Sequence, residues 1–311
     1  MLDDRLRFDL KVPPGGYAWW YFDAESPDRT AAITIIAFIG SVFSPYYAWA
    51  GRTAPENHCA LNVAIYGPSP RWTMTERSRK RVALARERFD IGASALSWRD
   101  GELTIAIDER AAPFPFPVRG EVRVRPLALT ERTFLIDAHG RHRWRPLAPR
   151  ARFDVTLSEP RLIWSGDGYF DSNDGDEPLE DAFSVWNWAR LHPLSGDTVV
   201  LYDTEPRTGA AQRIAIAVNG KGEVVDARLP PLQRANQTAV FRMDRRIGGD
   251  AGSAPKIIRT LEDAPFYSRS LVETSLGGQS YRGFHESLSG DRLRSPVVRA
   301  MLPFRMPRHD L

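Results

Sequence analysis

Two short patterns in this sequence can gather acid–base groups on one strand face: His142-Arg143-Trp144 and Tyr169-Phe170-Asp171. Side chains two residues apart on an extended strand point to the same side. A histidine with a tryptophan, and a tyrosine with a carboxylate, can therefore converge in one cavity, where they could give a proton, take one and hold a water. The same spacing also fits a turn-capping Asp171, a core Tyr169 and Trp144, and a surface His142 between arginines, and spacing alone favours this structural reading. The aromatic run Tyr17-Ala18-Trp19-Trp20-Tyr21-Phe22, with Trp49, Trp186 and Trp188, reads equally as core or as the lining of a slot for a long apolar ligand.

Other chemistries lack their signatures. There is no nucleotide-binding glycine loop, no G-x-S-x-G, no H-E-x-x-H and no Cys-x-x-Cys. Asp171-Ser172-Asn173-Asp174-Gly175-Asp176 is acidic enough for a calcium loop, but its glycine comes one position early and Ala182 stands where the closing Glu belongs. The single cysteine, Cys59, excludes an internal disulfide and Cys-pair metal sites, and suits a reducing compartment. The 42 Lys and Arg are nearly balanced by 39 Asp and Glu, spread along the 311 residues, so nucleic acid is not an expected partner. The densest basic run, Arg77 to Arg88, reads as a solvated face or as a surface for anionic head groups.

The elements that must position these groups are mainly strands. Asp100-Gly101, Asn219-Gly220 and Gly277-Gly278 each sit between alternating segments, as tight hairpin turns do. Helical periodicity is expected only over Glu76–Phe89 and Ser295–Leu302. The uncharged stretch from Thr30 to Gly51 is long enough for a membrane span. Its β-branched run Ile33–Ile39 followed by Ser41, Ser44, Pro45, Tyr46 and Tyr47 predicts instead a buried strand and an aromatic loop. The charged start, Met1 to Arg5, has no apolar core behind it, so no signal peptide is expected. The fold class is antiparallel β, as barrels or sandwiches with few short helices, in two domains (1–180 and 181–311) joined within the acidic segment Gly166–Asp181.

Several of these segments carry a family resemblance. Gly15-Gly16-Tyr17-Ala18-Trp19-Trp20-Tyr21-Phe22-Asp23-Ala24, the run Ile36 to Trp49, Asn57 to Val63, and Trp72 to Arg77 resemble the N-terminal signature of the carotenoid 1,2-hydratases, also called hydroxyneurosporene synthases. Gly168 to Asn173, with Trp186-Asn187-Trp188, is similar to a motif of the wider lipocalin-like superfamily; after about Pro230 the likeness rests on position only. The resemblance implies two lipocalin-like β domains without cofactor or metal. It also implies hydration of the terminal C1=C2 double bond of acyclic carotenoids such as neurosporene and lycopene. Its catalytic pairs fall on His142 with Trp144 and Tyr169 with Asp171, and the expected substrate-binding residues are Trp19, Trp20, Tyr46, Tyr47, Trp49, Phe170, Trp186 and Trp188.

A trisubstituted alkene is a poor base, so its hydration needs a strong proton donor and then capture of a tertiary cation. Asp171 is the expected acid. His142 is the expected acceptor of the water proton, Tyr169 holds that water or orients Asp171, and Trp144, with Trp19 or Trp20, stabilises the cation through its ring face. The alternatives are a lipocalin-like pericyclase and a non-catalytic lipid or pigment carrier. A carotenoid resides in the bilayer, so a cytoplasmic protein peripherally bound to the inner membrane is expected, docking through Phe43–Tyr47 and the basic segment near Lys80.

Overall fold

The computed structural model describes residues 3–309. Its strands are β1 (Tyr17–Glu25), β2 (Ala32–Ile39), β3 (Cys59–Tyr66), β4 (Arg71–Arg77), β5 (Val82–Ala85), β6 (Arg88–Ile91), β7 (Ser94–Arg99), β8 (Glu102–Arg110), β9 (Pro117–Pro126), β10 (Phe134–Leu135), β11 (His142–Glu159), β12 (Arg161–Gly175), β13 (Phe183–Pro193), β14 (Thr198–Pro206), β15 (Gln212–Val218), β16 (Val224–Asp226), β17 (Leu232–Ala235), β18 (Arg245–Gly248), β19 (Lys256–Asp263), β20 (Tyr267–Leu276), β21 (Gln279–Ser289) and β22 (Arg308–His309). The helices are short: α1 (Pro45–Trp49), α2 (Leu179–Ala182), α3 (Gly290–Arg294) and α4 (Pro296–Met301). Two compact units divide the chain. One takes the described residues through Phe134, Arg141–Pro178 and those from Ala300 onward; the other takes Leu135–Gly140 and Leu179–Arg299.

The first unit is one large sheet, ordered β22-β4-β3-β2-β1-β12-β11-β9-β8-β7-β6-β5. Neighbours are antiparallel except β22, which lies parallel to β4. The sheet curls until Arg77 of β4 donates to Glu109 of β8 at 2.9 Å. Residues alternate along each strand, so one face of β1 and β12 gives Ala18, Trp20, Phe22 and Phe170 to an apolar core shared with Ile33, Ile35, Leu61, Phe89 and Phe153. Each large side chain buried there contributes roughly 1.5–3 kcal/mol. Phe22 and Phe170 stack at 4.5 Å.

Asp100-Gly101 turns β7 into β8 and Gly277-Gly278 turns β20 into β21, each pair with positive φ at both residues, as the tightest hairpins require. The helix expected over Glu76–Phe89 is not formed. After β4 ends, a 3₁₀ turn (Arg79–Arg81) leads into β5 and β6. Val82 and Leu84 pair across to Ile91 and Phe89, so period-two burial prevails over helical spacing. The helix expected near Ser295 appears as α4. The Thr30–Gly51 stretch forms the buried β2 and then the five-residue α1. Among the described residues, no helix is long and apolar enough to cross a membrane. The acidic segment is strand as far as Gly175, with Asp174 and Asp176 held by Arg143.

The second unit holds the sheet β16-β15-β14-β13-β21-β20-β19 and the hairpin β17–β18. Ala189, Leu191, Leu201, Ala215, Ile247 and Val272 form its core. Buried polar side chains share that face: His285 is paired directly with Ala189, and Ser287 donates to Asn187 at 2.7 Å. Burial pushes the His285 imidazole down to about 4.

Candidate active site

The side of β1 and β12 that turns away from the apolar core is polar, aromatic and buried. The register sets Trp19 opposite Asn173, Tyr21 opposite Asp171 and Asp23 opposite Tyr169. On β11, Trp144 faces Asn173. Beyond it the pairing slips twice, between Arg145 and Ala148 and between Ala148 and Ala151. Such bulges bend a strand and re-aim its side chains, here just beyond Trp144.

Three of the four expected catalytic residues meet at one oxygen. Trp144 Nε1 and Tyr169 Oη each donate to Asp171 Oδ2 at 2.8 Å. Asp171 is 4% exposed, and Tyr169 and Trp144 are fully buried. Phe134 stacks on the Trp144 ring at 5.1 Å and fixes its plane. Burial, and then Asp171 beside it, hold the Tyr169 hydroxyl well above the usual phenol range, so it stays a donor. Asp171 thus has one oxygen presolvated by two fixed dipoles in a site that excludes water, which favours charge developing on that carboxyl group.

His142 stands apart from this group. It lies opposite Gly175, four residues beyond Asp171 on β12, which is ~13 Å along the strand at ~3.3 Å per residue. Its Nδ1 is 2.8 Å from Tyr17 Oη and its Nε2 is 3.4 Å from Glu177 Oε1. Gly175 makes this possible, since a Cβ there would come within 2.6 Å of both the Tyr17 ring and His142 Nδ1. The Tyr17 ring in turn stacks on Trp19 at 4.9 Å. His142 therefore touches the aromatic wall, and the expected direct proton transfer between it and a water beside Asp171 lacks the reach.

The expected substrate-binding residues divide by strand parity. Trp19 shares the face of Asp171 and packs against Phe38 at 6.1 Å. Trp20 and Phe170 do not: both point into the apolar core on the opposite face, because each is one residue out of step with the polar series. Tyr47 is fully buried, donates to Gly16 O at 2.9 Å and lies against His58, so it braces the fold. Tyr46 is half-buried on α1 and meets Trp49 edge-on at 5.7 Å; Trp49 is 56% exposed. Trp186 and Trp188 belong to the second unit, on the face of β13 away from its core, where Trp186 stacks on Tyr202 at 5.5 Å. The expected docking loop is mostly closed, with Ser44, Pro45 and Tyr47 buried.

Sequence reasoning missed Tyr21 and Asp23. Tyr21 Oη donates to Asp23 Oδ2 at 2.9 Å, and the Tyr21 and Tyr169 rings meet edge-on at 6.2 Å. The signal was present in the sequence, since Tyr-Phe-Asp occurs at both 21–23 and 169–171. Among the described residues, no cluster of His, Cys, Asp and Glu has the arrangement of a metal site.

Comparison with known proteins identifies the family. The family model described as "Carotenoid hydratase CrtC" matches residues 35–311. The acyclic carotenoid 1,2-hydratase of Thiocapsa roseopersicina is 53% identical over 97% of this chain and 75% of its own length. That of Rubrivivax gelatinosus is 45% identical over 97% and 76%. Among solved structures, kievitone hydratase from Nectria haematococca superposes with a TM-score of 0.55 at 11% identity, covering 89% of this chain and 90% of that one, which shows a common lipocalin-like fold. With most of its length matched by the family model and by relatives of this identity, the chain belongs to the carotenoid hydratase family.

Proposed function

We propose that this protein is an acyclic carotenoid 1,2-hydratase in which Asp171 is the general acid. The observation that carries the assignment is the buried Asp171 carboxyl, whose Oδ2 accepts from both Trp144 and Tyr169. With Oδ2 so engaged, the proton sits on Oδ1. As it passes to C2 of the terminal alkene, the charge left behind is already solvated by the two donors. The aromatic faces of Trp19, Phe38 and Tyr21 flank the tertiary cation at C1 and exclude bulk water. Water then attacks C1 and gives the tertiary alcohol. His142 acts at one remove, through Tyr17, to hold Trp19 in place.

Lycopene incubated in ¹⁸O-labelled water tests the assignment. The native protein places the label in a 1-hydroxy product, and folded Asp171→Asn does not. Full activity in that variant would sink the role of Asp171; no label with the native protein would sink the hydratase.

The substrate is held in a bilayer, so the protein works docked on the cytoplasmic side of one. Supporting this are Phe114, Phe116 and Phe304, all more than half exposed, next to Arg71 over Phe116 at 4.9 Å and Arg305 over Trp72 at 4.1 Å. Exposed aromatics beside arginines suit an anionic interface. Co-sedimentation with phosphatidylglycerol vesicles is expected and is reduced at least tenfold when the three phenylalanines are changed to serine.

A further inference from the structure

The two Tyr-Phe-Asp tripeptides lie side by side. Tyr21 pairs with Asp171, Phe22 with Phe170 and Asp23 with Tyr169, so a local two-fold axis runs through the stacked phenylalanines. On the polar face each aspartate accepts from the tyrosine two residues before it, at 2.9 Å for Asp23 and 2.8 Å for Asp171. Asp23 is completely buried. Burying a carboxyl group is costly, and the apolar core on the other side of the strands gains nothing from it. Among the groups that face Asp23 are Tyr21 on its own strand, Tyr169 and Asp171 on β12, and Thr34 opposite it on β2.

We propose that Asp23 is the second carboxyl group of the reaction, the base that removes a proton from the attacking water; this rests on the hydratase reading above. Adding water across a double bond needs an acid at one carbon and a base beside the other. Asp23 and Asp171 are diagonal neighbours on antiparallel strands, which sets their Cα atoms roughly 7–8 Å apart on one face. Carboxyl groups that activate a water between them lie ~6.5–9.5 Å apart, a separation that side chains from these two positions can span. His142, ~13 Å along the strand, is too far to share that water.

In the forward direction Asp171 is the donor and Asp23 the acceptor. The Asp171 proton forms the new C–H bond at C2 with the π electrons. The water oxygen forms the C–O bond at C1, and its released proton goes to Asp23. The pair then stands in the opposite protonation state, and the proton returns to Asp171 through water before the next turnover. In the reverse direction the two groups exchange roles.

The test compares the pH dependence of lycopene hydration in the native protein and in Asp23→Asn, Asp23→Glu and Asp171→Asn, with folding checked by thermal melting. Asp23→Asn is expected to lower kcat by roughly 10²–10⁴-fold, the usual range for losing a general base, with KM little changed. It also removes the low-pH limb of the profile, where a base is lost by protonation. Asp23→Glu recovers part of the rate and keeps the limb at a displaced position.

A folded Asp23→Asn within threefold of the native kcat overturns the proposal. So does one that loses rate but keeps both limbs, since that is the mark of a structural role. If Asp23→Asn does not fold, Asp23→Glu decides, and an unmoved low-pH limb overturns the proposal. Loss of hydration in Asp171→Asn alone separates failure of this inference from failure of the hydratase reading, which would show as no hydration by the native protein.

Discussion

The two faces of the β1–β12 ribbon are built from alternate residues of the same strands and do opposite things. Trp20, Phe22 and Phe170 enter an apolar core; Trp19, Tyr21, Asp23, Tyr169 and Asp171 form a buried polar face one residue out of phase. A close-packed core resists displacement, so the apolar face holds the register on which the donors to Asp171 depend. The second unit draws the line less sharply, since His285 and Ser287 lie on the same face as Ala189 and Val272.

The comparison can be broken most directly at Asp171. Asp171→Asn should lower kcat by at least ~10³-fold, about 4 kcal/mol at the transition state, with the melting temperature almost unmoved. Phe170→Ala, its neighbour on the other face, should do the reverse. Losing a buried phenylalanine costs about 3–5 kcal/mol of stability, read as a shift in the denaturant midpoint, while kcat per folded molecule stays within a few fold. Equal losses of stability from both changes would dissolve the distinction between the faces.

His285 probes the second unit. Its folded-state value of about 4 lies below that of an unfolded histidine, ~6.5, so the unfolded chain binds more protons between these values. Stability is full above pH ~6.5 and falls as pH drops toward 4, by about 3 kcal/mol in total. Chemical denaturation of the native protein and His285→Gln across this range should show the slope in the first and its flattening in the second. The smallest effect is expected for Tyr169→Phe, which leaves Trp144 as a donor to Asp171. A loss of ~10–30-fold in kcat, about 1.4–2 kcal/mol, with unchanged KM would show that the phenol acts on the carboxyl group rather than on binding.

The i, i+2 rule made Tyr169 with Asp171 legible in the sequence, and the two-residue turns at Asp100-Gly101 and Gly277-Gly278 announced their hairpins. The same rule, applied to every neighbour, would have put Trp20 and Phe170 on the wrong side for substrate. The recurrence of Tyr-Phe-Asp could be read from the sequence, but its meaning could not. Only the pairing of β1 with β12, two strands far apart in the chain, turns the repeat into two facing dyads. His142 shows the converse, since its parity with Trp144 was visible but its four-residue offset from Asp171 depends on strand register. Glu76–Phe89 was misread because short strands separated by tight turns mimic helical spacing over a dozen residues.

The shared face of Asp23 and Asp171 also carries a stereochemical consequence. Both carboxyl groups leave the sheet on the same side, so an alkene lying over that face receives its new hydrogen and its hydroxyl from one side only. Addition is then syn. In deuterated water, with one of the two C1 methyl groups labelled with ¹³C, a single relative configuration at C1 and C2 should appear in the product.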